Sequence, residues 1–236
     1  MNVAVLLAGG SGRRMGGPEP KQFIEVAGRT LLEHSIRAFD RNADIDEIVI
    51  VCHPDYLSRV SDIVAPYPKV RHVVRGGRER YDSTLAALNV YEGNDADVPN
   101  VPLDRINVLI HDCVRCLVSD RIISDCVRAL HEYRAVDVAI PCTDTIIEVD
   151  DQEHIVRMPQ RSHLRNVQTP QAFRLDVLVD AYRRGLADPN FVTTDDCSVV
   201  HKYLPDVPIC VVPGESTNIK ITYPEDLILA EKLLKC

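Results

Sequence analysis

"NVAVLLAGGSGRRMGG" (residues 2–17) decides the fold, and "PKQF" (20–23) follows it closely. A near-continuous apolar run ends in a glycine-rich turn that carries two arginines, with a lysine a few residues on. A strand that is apolar on both sides needs cover on both faces. The run therefore predicts a first strand over 2–8 inside a layered α/β domain, with a loop at its C-terminal end that meets a ligand.

The rest of the chain supports this frame. "EIVIVC" (47–52), "VRHVV" (70–74), "INVLIH" (106–111) and "VDVAIP" (136–141) read as further buried strands. Amphipathic helical patterns separate them at 29–40, 55–65, 80–91 and 119–133. Ser119 is placed to cap the last of these, and "HPDY" (53–56) begins another. Regular β–α alternation predicts a mostly parallel, three-layer α/β sheet. Residues 142–170 break the pattern. "TIIEV" and "HIVRM", joined by "DDQE", predict a β-hairpin, and the whole stretch reads as an arm projecting from the sheet. The tail returns to α/β, with helices at 174–186 and 194–203, strands at 208–212 and 217–221, and a last helix at 224–235. Residues 91–104 read as a surface loop. Neither repeats nor a linker divide the chain, so 1–236 reads as a single domain with an arm.

The loop after the first strand admits several readings. A Walker A motif needs Gly-x4-Gly-Lys-Ser/Thr; Gly12 and Gly17 have the spacing, but Pro18 and Glu19 stand where Lys-Ser/Thr belongs. A dinucleotide fingerprint begins at Gly10-Ser11-Gly12 and then meets Met15 at its third glycine. The third reading is a turn whose backbone N–H groups wrap a nucleoside triphosphate. There, Gly9, Gly10 and Gly12 allow close approach, Arg14 offers a planar fork to phosphate oxygens, and Lys21 adds a mobile charge. A strand–turn with solvated arginines is the plain alternative.

Composition narrows the classes. The formal net charge is -8, so a broad nucleic-acid footprint, which is usually basic, is not expected. No stretch approaches the ~20 apolar residues of a membrane span, and "MNVAVLLAGG" lacks the basic region of a signal peptide. These features lead us to expect a cytoplasmic protein. The eight cysteines sit mostly in apolar runs and read as reduced, buried thiols. Cys113 and Cys116 have C-x-x-C spacing without the supporting context of a zinc or redox site.

"LLAGGSGRRM…PKQF" resembles the signature of the sugar-phosphate cytidylyltransferases, which act on 2-C-methyl-D-erythritol 4-phosphate or ribitol 5-phosphate. The resemblance continues in order through "GGRERYDS" (76–83), "IHDCVR" (110–115), "TDT" (143–145), "QTPQAF" (168–173), "TDDCS" (194–198) and "NIKITYPEDL" (218–227). It implies a Rossmann-like nucleotidyltransferase sheet and a reaction that joins CTP to a polyol phosphate, releasing pyrophosphate. Arg14 and Lys21 would hold the triphosphate, and Lys220 would reach the α-phosphate and the attacking phosphate. Ala8, Gly9, Gly10, Gly12, Gly77 and Ser83 would line the CTP site. Asp112 would meet hydroxyls of ribose or polyol. The polyol phosphate would be held by Asp112, Arg115, Thr145, Arg161, Thr169 and Lys220.

Mg²⁺ is the expected cofactor, with Asp112 and Asp226 as candidate ligands. A homodimer with interlocked arms is also implied, as is Cys116 standing where the family has proline, which would loosen the turn after Arg115. Branch-level motifs favour ribitol 5-phosphate as acceptor, with methylerythritol phosphate as the alternative. A non-catalytic nucleotide-binding protein is a rival reading; retention of all three cations argues against it, as the missing third glycine and the arm argue against a dehydrogenase.

Overall fold

The computed structural model describes residues 1–10, 15–16, 19–93 and 101–235. Its strands are β1 (Asn2–Ala8), β2 (Glu25–Val26), β3 (Arg29–Thr30), β4 (Glu47–Cys52), β5 (Val70–Arg75), β6 (Asn107–Asp112), β7 (Ala135–Pro141), β8 (Glu148–Val149), β9 (Ile155–Arg157), β10 (Arg165–Arg174) and β11 (Ile209–Pro213). The helices are α1 (Leu31–Arg41), α2 (Leu57–Val64), α3 (Arg80–Glu92), α4 (Asp120–Ala129), α5 (Leu175–Leu186), α6 (Asp196–Tyr203) and α7 (Pro224–Leu234). Seven strands form one sheet in the order β11-β7-β10-β6-β1-β4-β5. Every pairing in it is parallel except the two made by β10, which runs antiparallel to β6 and β7.

Alternation along β1 builds both halves of the core. Ala4, Leu6 and Ala8 pack with Leu32, Ile36, Ile122 and Ala230 on the face covered by α1, α2, α4 and α7. Val3, Val5 and Leu7 pack with Leu88, Leu178 and Val200 on the face covered by α3, α5 and α6. Successive side chains of a strand point to opposite faces, so a strand apolar at both registers fills two cores at once. The three layers expected from the sequence are present.

Local signals fix the helix starts. Thr30 and Glu33 cap α1 reciprocally: Glu33 N donates to Thr30 Oγ1 at 3.1 Å and Thr30 N to Glu33 Oε2 at 3.0 Å. Ser119 caps α4, accepting from Ile122 N at 3.3 Å. Pro54–Tyr56 form a 3-10 turn that leads into α2.

Three expectations are corrected. The arm is shorter than 142–170, because Arg165–Arg174 form β10 between β6 and β7. Pro170 lies inside it, where the pairing with β7 shifts register between Val167 and Gln171, so no regular ladder donor is needed at the proline. Residues 217–221 form no strand. They run as an irregular segment pinned by Ile221 N to Val114 O at 3.0 Å and by Asn218 Nδ2 to Thr169 O at 2.9 Å. Finally, α4 stops at Ala129 rather than reaching 133. The expected hairpin does form as β8 and β9, joined by a turn at Asp150–Glu153.

Candidate active site

A cavity of about 730 Å³ opens at the C-terminal ends of β1, β4, β5 and β6. The chain runs from β1 outward to β4 and β5, then crosses back to β6 on the other side of β1. Ligands of open α/β sheets bind where the strand order reverses in this way.

Gly9 and Gly10 follow β1, His53 and Pro54 follow β4, and Gly76 and Gly77 follow β5; all of them line the cavity. Gly77 has no room for a side chain: a Cβ there would fall 2.2 Å from Asp82 Cβ. Asp82 in turn ties the turn down, with Oδ2 accepting from Arg78 N at 2.9 Å and Glu79 N at 3.0 Å. Ser83 is buried beneath this turn and faces both Gly9 and Gly76. The result is a backbone-lined wall with a single hydroxyl, suited to reading a base by hydrogen bonds.

The opposite side is charged. Asp112 ends β6, and its side chain is 13% exposed. Lys220 Nζ donates to Asp112 Oδ2 at 2.7 Å, and Arg80 Nε lies 3.7 Å from Asp112 Oδ1. Burial would raise the Asp112 pKa, but the two cations outweigh it and bring the carboxyl down to about 2. Lys21 also lines the cavity and donates from Nζ to Ile221 O at 3.0 Å. Its neighbour Gln22 is buried and donates to Ala8 O at 2.8 Å, which fastens the lysine-bearing turn to the end of β1. Lys21, Lys220 and Arg80 thus converge on one cavity that also holds a carboxylate. That arrangement can bind a polyanion and a hydroxylated ligand side by side.

The structure therefore brings together Gly9, Gly10, Lys21, Gly77, Ser83, Asp112 and Lys220. Gly12 and Arg14 lie outside the described residues. Ala8 is buried behind the cavity, with its carbonyl taken by Gln22.

Thr169 sits beneath Asp112. Its Oγ1 accepts from Asp112 N at 3.1 Å and lies 3.0 Å from His111 Nδ1. His111 is fully buried, which pushes its pKa down to about 4 and keeps it neutral. Thr169 thus supports the strand end and has no place in the cavity lining.

Arg115 departs further from expectation. Its guanidinium donates to Asn218 O at 2.9 Å and Val167 O at 3.3 Å, clamping the 218–221 segment to β10. The turn around Cys116 is not loosened: Arg115 N bonds Asp112 O, Val118 N bonds Arg115 O, and Cys116 fills the core.

Thr145 and Arg161 stay on the exposed arm, away from the cavity, with Arg161 Nη1 donating to Thr143 O at 3.2 Å. Asp226 does not reach the site. Its Oδ2 accepts from Thr222 N at 2.7 Å and Tyr223 N at 2.8 Å, which caps α7. A role as a metal ligand is accordingly withdrawn for Asp226.

Among the described residues no group of three or more His, Cys, Asp or Glu is arranged to hold a metal. Asp112 alone fits Mg²⁺, which keeps its waters and uses one or two carboxylates together with substrate phosphates. The seven described cysteines are free, and all but Cys210 are buried. Burial pushes the Cys113 thiol up and that of Cys116 up to about 12, so both stay protonated in the core.

Sequence reasoning missed Arg80. Its signal lay in "RERYDS", a charged run at the C-terminal end of a strand, the edge where open sheets gather their ligands.

Comparison with known proteins agrees with this geometry. The family model described as "IspD: 2-C-methyl-D-erythritol 4-phosphate cytidylyltransferase" matches residues 2–236. A 2-C-methyl-D-erythritol 4-phosphate cytidylyltransferase of Thermobifida fusca is 44% identical, over 99% of this chain and 93% of that protein. The bifunctional ribulose 5-phosphate reductase/CDP-ribitol pyrophosphorylase Bcs1 of Haemophilus influenzae is 42% identical, over 99% of this chain and 48% of that protein. The crystal structure of 4-diphosphocytidyl-2C-methyl-D-erythritol synthase from Anaerococcus prevotii superposes with a TM-score of 0.83 at 34% identity, covering 100% of this chain and 96% of that one. Agreement runs the length of the chain and includes every strand end that builds the cavity: the protein belongs to the IspD family of cytidylyltransferases and is a nucleotidyltransferase.

Proposed function

We propose that this enzyme transfers CMP from CTP to 2-C-methyl-D-erythritol 4-phosphate, releasing pyrophosphate. The observation that carries the transferase reading is the Asp112–Lys220 pair at 2.7 Å, with Lys21 lining the same glycine-walled cavity. For the acceptor, support comes from the family model and from relatives named for that activity. They weigh more than the branch-level motifs that favoured ribitol 5-phosphate. The Haemophilus relative keeps ribitol 5-phosphate as the second reading, since its match spans the same residues.

In this reading a phosphate oxygen of the acceptor attacks the α-phosphorus of CTP. The new P–O bond forms as the bond to the β-phosphate oxygen breaks, and the electron pair leaves with pyrophosphate. No covalent nucleophile is needed, so the residues act by position and charge. Lys21, with Arg14, neutralises the charge that grows on the leaving group. Lys220 leaves Asp112 and meets the α-phosphate and the attacking phosphate. Asp112 is then open to ligand hydroxyls. The backbone at Gly9, Gly10 and Gly77, with Ser83, reads the cytosine. Asp112 would also hold Mg²⁺, which supplies further charge neutralisation at the triphosphate.

The arm serves a second copy of the chain. Ile146, Ile147, Val149, Ile155, Val156 and Met158 are all exposed on it, an apolar surface that a partner's arm would cover. A homodimer built this way would carry Thr145 and Arg161 to the partner's cavity.

Pyrophosphate release with CTP, Mg²⁺ and each acceptor separately tests the proposal. Faster turnover with methylerythritol phosphate is expected. A clear preference for ribitol 5-phosphate would move the enzyme to the second reading, and silence with both would remove the acceptor assignment altogether.

A further inference from the structure

The "TDDCS" stretch (194–198) has no part in the mechanism above, yet it holds a fully buried carboxylate. Asp196 is 0% exposed. Its Oδ1 accepts from Tyr182 Oη at 2.6 Å, and its Oδ2 accepts from Arg80 Nη1 at 2.7 Å. Its backbone N–H donates to Gln171 Oε1 at 3.0 Å, which fixes the start of α6 against β10.

The same guanidinium faces the cavity. Arg80 Nε lies 3.7 Å from Asp112 Oδ1, on the side of the carboxylate away from Lys220, which holds Oδ2. The two cations differ in kind. Lys220 is a flexible ammonium, 42% exposed, on an irregular segment. Arg80 is a planar fork at the first turn of α3, with one arm locked to a buried anion. A guanidinium presents several donors in fixed relative directions, so it can hold Asp196 with one nitrogen and face Asp112 with another.

This difference matters once Lys220 moves. A carboxylate that loses its closest partner is free to rotate out of place unless a second donor holds it. We infer that Arg80, anchored by Asp196, is the positioning residue that keeps the Asp112 carboxylate aimed into the cavity while Lys220 engages phosphate. The inference rests on the transferase reading above. Arg80 acts through Asp112 and needs no contact with the reacting atoms.

Two variants test it. Arg80→Gln alone leaves Asp196 buried without its cation and lowers stability for that reason alone. Combined with Asp196→Asn, the buried charge is removed and Tyr182 can still donate to the amide oxygen. Arg80→Lys keeps a cation for Asp196 but cannot span both carboxylates; it carries the test if the double variant does not fold.

The expected result is a melting temperature near that of the unmodified protein in the double variant, with kcat lower by about ten- to a hundredfold. Arg80→Lys should fold and show a similar loss. Return of kcat to within twofold of the unmodified enzyme, in either folded variant, overturns the inference, because Arg80 would then serve stability only. If the unmodified enzyme releases no pyrophosphate from CTP with either acceptor, the transferase reading falls instead.

Discussion

The cavity and the arm teach opposite lessons about how a site is held. At the cavity every functional group is braced by a second one. Asp112 lies between Lys220 and Arg80, its amide N–H bonds Thr169, and Gln22 ties the Lys21 turn to β1. On the arm Thr145 and Arg161 are exposed, and two short strands carry apolar side chains into solvent. One region is braced by contacts within a single chain, while the other leaves an apolar surface exposed. Under the proposed reaction and homodimer, the difference would divide the two ligands: the braced cavity would take the nucleotide, and a partner's arm would help hold the acceptor.

The largest expected effect breaks the braced side. Lys220→Ala should lower kcat by roughly 10²–10³, the scale for removing one charged group that stabilises a transition state. Its side chain is 42% exposed at the mouth of the cavity, so the melting temperature should change little. Near-normal pyrophosphate release would remove it from the mechanism. Gly77→Ala comes next, because its methyl group would fall into Asp82. The turn must shift, and CTP affinity measured by calorimetry should weaken on the order of tenfold; unchanged affinity would separate this turn from the base pocket.

The arm is tested by Arg161→Ala, which should raise the acceptor KM about tenfold while leaving the CTP KM nearly unchanged. Equal effects on both ligands would end the division drawn above. Mixing this variant with Lys220→Ala should restore part of the activity if each arm serves the partner's cavity. Ile155→Asp sharpens the same point, since sedimentation should then show a shift to monomer.

The smallest effect belongs to Asp226→Asn. Weakening the α7 cap should cost about 1 kcal/mol, or a fall of about 2–4 °C in Tm for a chain of this size. Its Mg²⁺ dependence should match that of the unmodified enzyme. A raised Mg²⁺ requirement would return Asp226 to the metal site.

Legibility followed local consistency. β1, β4 and β6 were readable because each is apolar at both registers and followed by a helical pattern, and β5 and β7 because they are short valine- and isoleucine-rich runs in step with that alternation. β10 was not. "RNVQTPQAFR" carries Arg, Asn, Gln, Thr and an internal Pro, which reads as turn and arm. Its polar side chains are acceptable in mid-sheet only because distant partners meet them. Gln171 donates to Asp137 Oδ1 at 3.1 Å and Asp195 Oδ2 at 2.9 Å, and Gln168 donates to Glu215 O at 2.8 Å. No periodicity rule sees such partners. Lys220 shows the same limit: the sequence pointed to a lysine leaving its isoleucine neighbours for a cleft, and Ile221 is indeed buried while Lys220 reaches into the cavity. The strand invoked to explain this does not exist; the segment is positioned by bonds to Val114 and Thr169.

By itself the sequence determined the layered sheet and the glycine turns at its strand ends, and its resemblance pointed to Lys21, Asp112 and Lys220, which line one cavity. Those features depend on chain-local chemistry, such as side-chain period, backbone freedom and charge. Only the tertiary structure decided that Arg115 and Asp226 spend their side chains on backbone groups, that Thr169 braces Asp112 from below, and that Arg80 joins a buried aspartate to the cavity. Each of those outcomes rests on which distant polar group lies within hydrogen-bond reach, and that distance is set by packing rather than by position in the chain.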